Sequence, residues 1–101
     1  MKLVYSRQAI ADLESIAAHY TTNASPAVAD AIKRRLKDVI DRICQSPEAA
    51  PRVAQRSGVR VAAVIRYPFR IFYRLRGDTV DILHIRHTSR RPFVSRTTRP
   101  G

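Results

Sequence analysis

A chain of 101 residues with a net charge of +11 has room for one modest core and carries far more positive charge than a neutral surface needs. No apolar run reaches the length of a membrane span, and the opening "MKLVYSRQAIADLES" lacks the apolar stretch of a secretory signal. The single cysteine, Cys44, excludes an internal disulfide, which fits a reducing, cytoplasmic setting.

Lys2–Tyr5 (KLVY) is a short strand candidate, and Ser6 suits the N-cap of a helix from Arg7. Ile10, Leu13, Ile16, Ala17 and Tyr20 then recur at near-helical spacing. "TTNAS" breaks the pattern. Ser25 and Pro26 restart it as N-cap and first helical residue. Val28, Ile32, Leu36, Val39, Ile40 and Ile43 form the second apolar stripe, and Ser46-Pro47 ends it. The two helices are expected to pair as an antiparallel hairpin. Cys44 falls near the second stripe, so a buried, inert thiol is expected. His19 lies on the first helix with Asp12 and Ser15, on a side read as solvent-facing.

Residues 47–58 read as a linker, with a short strand near Arg52–Arg56. Val59–Arg66 alternates, as does Arg70–Leu75, where Ile71, Tyr73 and Leu75 oppose Arg70, Phe72 and Arg74. "RGD" (Arg76–Asp78) is a turn by composition. Thr79–His87 is apolar on both faces, as expected of an interior strand. The order β–α–α–β–β–β implies an α+β domain in which an antiparallel twisted sheet packs on a helical hairpin. One domain is expected over 1–92, followed by a basic, mobile tail over 93–101.

Charge is unevenly spread. Residues 1–48 net +1, whereas 49–101 hold twelve arginines, no lysine and two acids, Asp78 and Asp81. An all-arginine half favours planar, bidentate contacts to phosphate or carboxylate. Within "VIRYPFRIFYRL", Arg66, Arg70 and Arg74 recur every fourth residue. Proline at the first central position of a two-residue hairpin is disfavoured, so a three-residue loop, Tyr67–Phe69, is expected. That loop would pair Arg66 with Arg70 and align all three arginines on one face.

The element order and the segments "SRQAIADLESIAAHY", "YPFRIFYR", "RGDTVDIL" and "HIRHTSRRP" resemble the RelE/ParE superfamily of type II toxin–antitoxin toxins. The ParE-like, plasmid-stabilisation branch is the nearer. The resemblance implies a small bacterial cytoplasmic protein made with a ParD-like antitoxin, which covers the toxin in a hetero-oligomer. ParE toxins poison DNA gyrase and so block replication, whereas RelE toxins cut mRNA at the ribosome. A fold shared by both activities does not choose between them.

Phosphodiester cleavage needs a general base, a general acid and cations on the phosphate. Residues 49–101 contain no lysine and no glutamate. A ribonuclease would therefore rely on His87 and Tyr73, with Arg60, Arg74 and Arg90 on phosphate. Gyrase inhibition by protein contact needs no such set, so no catalytic residue is expected on that reading. A non-catalytic binding module or inactive toxin is a third reading. The surface expected to meet antitoxin or target comprises Arg60, Arg66, Arg70, Arg74, Arg86, His87, Arg90 and Arg91. His87 also reads as a strand-end histidine with a structural hydrogen bond. No cofactor is expected, and no Cys/His cluster has metal-ligand spacing.

Overall fold

The computed structural model describes residues 1–88. Arg90, Arg91 and the expected tail 93–101 lie outside the described residues. The element order is β1 (Lys2–Tyr5), α1 (Arg7–Asn23), α2 (Pro26–Gln45), β2 (Val59–Val64), β3 (Phe69–Arg76) and β4 (Thr79–His87).

Both helices start at serines that cap them. The Ser6 hydroxyl accepts the Ala9 N–H at 2.9 Å, and the Ser25 hydroxyl accepts that of Val28 at 3.1 Å. Pro26 occupies the first turn of α2, where no N–H is needed. Ile32, Leu36, Val39, Ile40 and Ile43 bury one stripe of α2 on the sheet. Their counterparts are Ile71, Tyr73, Val80, Ile82 and Ile85, so the core lies between α2 and the inner face of β3–β4. Helix α1 buries only Ala9 fully and sets Leu13, Ile16 and Tyr20 against the core edge. Val28, expected in the α2 stripe, is exposed.

The sheet order is β1-β4-β3-β2. β2, β3 and β4 form the expected antiparallel meander, but β1 pairs parallel to β4. The sheet is therefore mixed rather than wholly antiparallel. The helical hairpin supplies the long crossover that a parallel pair requires between its strands. The β3–β4 turn is the two-residue Gly77-Asp78, with Gly77 at φ +61° as this tight hairpin demands. Residues 52–58 contribute a single bridge, Arg52 to Arg60, in place of a strand.

Two details differ from the expected alternation, and each has a local cause. First, Val64 pairs with Phe69, so the β2–β3 loop is the four residues 65–68. The three-residue loop is not formed. The chain reverses through Arg66 at φ +80°, a conformation that proline cannot adopt. Second, the β3–β4 register shifts at Phe72/Tyr73: Phe72 faces His84 while Tyr73 faces Ile82. Leu83 is the extra residue of a β-bulge. It lets Ile82 and Ile85, three apart, share the core face, where plain alternation would separate them.

Helix α1 is fastened at that bulge. The Ser6 hydroxyl that caps α1 also donates to the Leu83 carbonyl. Asp12, further along α1, accepts the Ile85 N–H on Oδ2 at 2.9 Å. Both groups freed by the irregular ladder are thus taken up by one helix.

Candidate functional site

The outer face of the sheet carries the arginines. On β3, Arg70, Phe72 and Arg74 point away from the core, alternating with buried Phe69, Ile71 and Tyr73. Arg70 stands directly opposite Arg86 of β4, and Phe72 directly opposite His84. The Phe72 and His84 rings stack, with centroids 4.5 Å apart and planes at 15°. His84 is only 8% exposed although it lies on the outer face. Arg86 covers one side of it, with Nε 2.9 Å from Nδ1. Arg56, brought in from the 52–58 segment, covers the other with Nη1 2.6 Å from Nε2. Burial, followed by the charges of Arg86 and Arg56, pushes the imidazole below its ordinary pKa of 6.5, and Asp12 opposes that shift. Burial and the two guanidinium groups thus disfavour the charged imidazolium.

At the other end of the same strand pair the charge is balanced. Arg74 faces Asp81, and Arg76 grips that carboxylate with two hydrogen bonds of 2.9 and 3.0 Å. These arginines depress the Asp81 carboxyl, chiefly through the Arg76 hydrogen bond.

A groove of about 500 Å³ runs beside this face, between α1 and the ends of β3 and β4. Asp12, His19 and Tyr20 line it from α1, and Arg70, Arg86 and His87 from the sheet. His87 pairs with Phe69 in the ladder and meets its ring edge-on at 5.3 Å; Phe69 meets Tyr20 likewise at 6.1 Å. His19, read as solvent-facing, is exposed but does border this groove.

The residues singled out from sequence thus separate into distinct places. Arg70, Arg74 and Arg86 share the outer face. Arg66 stands in the loop, so it does not align with Arg70 as expected. Arg60 pairs with Tyr73 on the opposite side of the sheet, and its guanidinium donates to the carbonyls of Glu48 (3.1 Å) and Ala50 (2.7 Å). Tyr73 is 0% exposed, with its hydroxyl donating to the Pro47 carbonyl at 2.5 Å. Burial pushes that phenol up, making it a weaker acid. Together Arg60 and Tyr73 pin the 47–50 segment to the core, far from His87 in role. Cys44 is half-buried, and burial followed by the Asp41 charge raises its thiol, so it is a poor nucleophile. Sequence reasoning missed Arg56, whose contact with His84 spans 28 residues, and the central position of His84. Among the described residues no cluster of His, Cys, Asp or Glu could hold a metal ion, and no helix is long and apolar enough to cross a membrane.

A helical hairpin on a four-stranded mixed sheet matches the RelE/ParE-like fold. The family described as "ParE toxin of type II toxin-antitoxin system, parDE" matches residues 3–92, and the chain belongs to that family. Among solved structures, the chromosomal ParDE toxin–antitoxin system of P. aeruginosa is similar at 30% identity with a TM-score of 0.77, covering 86% of this chain and 95% of that one. The isolated E. coli RelE toxin matches at 14% identity and a TM-score of 0.58, covering 90% of this chain and 87% of that one. The E. coli RelBE toxin–antitoxin complex matches at the same identity and TM-score, covering 88% of this chain and 98% of that one. At 14% identity the likeness to RelE concerns the fold alone. No curated protein sequence matches the chain.

Proposed function

We propose that this ParE-family toxin inhibits DNA gyrase by protein contact and is neutralised by a cognate antitoxin that covers it. The observation that favours contact over chemistry is the placement of Tyr73. Its hydroxyl is buried on the Pro47 carbonyl, on the far side of the sheet from the arginines of the outer face. Arg60 is likewise committed to backbone carbonyls. Gyrase inhibition asks nothing of either residue. The antitoxin reading is supported by β1, an edge strand whose Leu3 and Val4 are 38% and 45% exposed. An open edge of this kind accepts an extended partner segment through main-chain hydrogen bonds. The test is a supercoiling assay with purified toxin and gyrase. Loss of supercoiling or accumulation of cleaved DNA is expected, and normal supercoiling at micromolar toxin overturns the proposal. Adding antitoxin should restore activity.

One observation favours a second reading, that of a ribosome-dependent ribonuclease. The groove brings His87 together with Asp12, His19, Arg70 and Arg86, which supplies titratable groups beside cations. This reading predicts mRNA cleavage in a ribosome-containing extract that is lost in His87→Ala.

A further inference from the structure

The outer face holds a charge arrangement that is incomplete by itself. A guanidinium carries only donors, and a neutral imidazole offers one acceptor nitrogen and one N–H. Arg56 and Arg86 nevertheless sit within hydrogen-bond distance of both nitrogens of His84. Only one of these contacts is a true hydrogen bond in either tautomer. The other sets donor against donor. Beside them, Arg70 lies directly across the ladder from Arg86, and like charges in opposed positions destabilise a strand pair.

Among the described residues no ion pair answers this excess. The ion pairs among the described residues are Lys33–Asp30, Lys37–Asp41 and Arg76–Asp81, none of them here. Asp12 is the acid that acts on His84, and its two oxygens take the Ile85 N–H and the Gln8 amide. The sequence contains no aspartate or glutamate after Asp81. The Asp81 end of the same two strands shows what balance looks like, with one carboxylate set between Arg74 and Arg76.

We propose that Arg56 and Arg86, which flank His84, together with Arg70 opposite Arg86, bind a phosphate group carried by a phosphate ester. The three arginines come from a loop and two adjacent strands. A carboxylate offers two oxygens in one plane, as Asp81 does to Arg76, whereas a terminal phosphate offers three in a tetrahedral array that arginines from separate elements can share. With the anion in place, each guanidinium has an acceptor and the His84 N–H gains one, so the imidazole is no longer caught between donors. The stacked Phe72 holds the ring in its plane under the anion and contributes no charge. This site stands apart from the gyrase reading, because nothing in its argument depends on which macromolecule the toxin contacts.

The test is titration of the purified full chain at constant ionic strength, followed by the NMR signals of the His84 ring. Three probes distinguish the source of the phosphate: inorganic phosphate, a mononucleotide and a short single-stranded oligonucleotide. Saturable shifts of the His84 signals are expected, with dissociation constants raised about tenfold in Arg56→Gln and in Arg86→Gln. Arg34→Gln, which removes an exposed charge on α2, should bind as the parent does. Circular dichroism establishes that each variant is folded, and Arg56 lies in a loop where its replacement disturbs no ladder. The absence of saturation with all three probes overturns the proposal. So does equal weakening in Arg34→Gln, which would mark general charge attraction instead of a site.

Discussion

Ser6 is the residue on which the placement of α1 turns, and its replacement offers the sharpest test of the fold argument. One hydroxyl accepts the Ala9 N–H as N-cap and donates to the Leu83 carbonyl at the bulge. Ser6→Ala removes both. Loss of a serine cap costs about 1 kcal/mol. Leaving the part-buried Leu83 carbonyl without its donor costs about 1 kcal/mol more. The sum of about 2 kcal/mol lowers Tm by roughly 8–16 °C in a domain of this size. Thermal and urea unfolding followed by circular dichroism measure it. Ser6→Asp separates the two roles, because an aspartate caps as well as a serine but has no proton to donate. It should lose about 1 kcal/mol and no less, since its carboxylate faces the Leu83 oxygen. If Ser6→Asp unfolds with the parent, the bulge contact contributes nothing and the account of how α1 is fastened is wrong.

Other expectations are narrower. Tyr73→Phe leaves the Pro47 carbonyl without a donor and should cost about 1–2 kcal/mol in urea unfolding. The same variant should keep full gyrase inhibition, and a selective loss of activity at unchanged stability would restore Tyr73 as a functional residue. Arg66→Gly removes a side chain from a left-handed position and should stabilise by about 0.5–1 kcal/mol; a lower denaturation midpoint would show that the loop needs the arginine. His84 carries a pH signature. Its folded pKa lies below 6.5, so the unfolded chain binds more protons as pH falls through that value, and stability declines on the acid side. The groups facing it are Arg86, Arg56 and Asp12. His84→Gln should flatten the acid limb of the stability–pH curve below 6.5, measured in a phosphate-free buffer; an unchanged limb would assign the decline to other groups.

What could be read from the sequence follows from what each signal depends on. The helix starts were legible because a serine cap, a proline at the first turn and an apolar stripe all act within one or two turns of chain, and Ser6, Ser25 and Pro26 stand where those rules put them. β1 and β4 were legible in extent for the same local reason. Direction and parity were not. Nothing in "KLVY" specifies whether it runs with or against a partner some 77 residues away, so the parallel β1–β4 pair could not be foreseen. The Leu83 bulge leaves no mark of its own, since valine-like alternation reads the same with or without an inserted residue, and one inserted residue exchanges the two faces of everything beyond it. Here that shift decides the site. By placing Ile82 and Ile85 together in the core, it leaves His84 on the outer face beside Phe72, two residues from Arg86 and within reach of Arg56. Counting by twos from the β3–β4 turn would have put His84 on the core face with Val80 and Ile82. The arginine surface was therefore visible in composition, but its centre was set by a backbone irregularity that composition does not record.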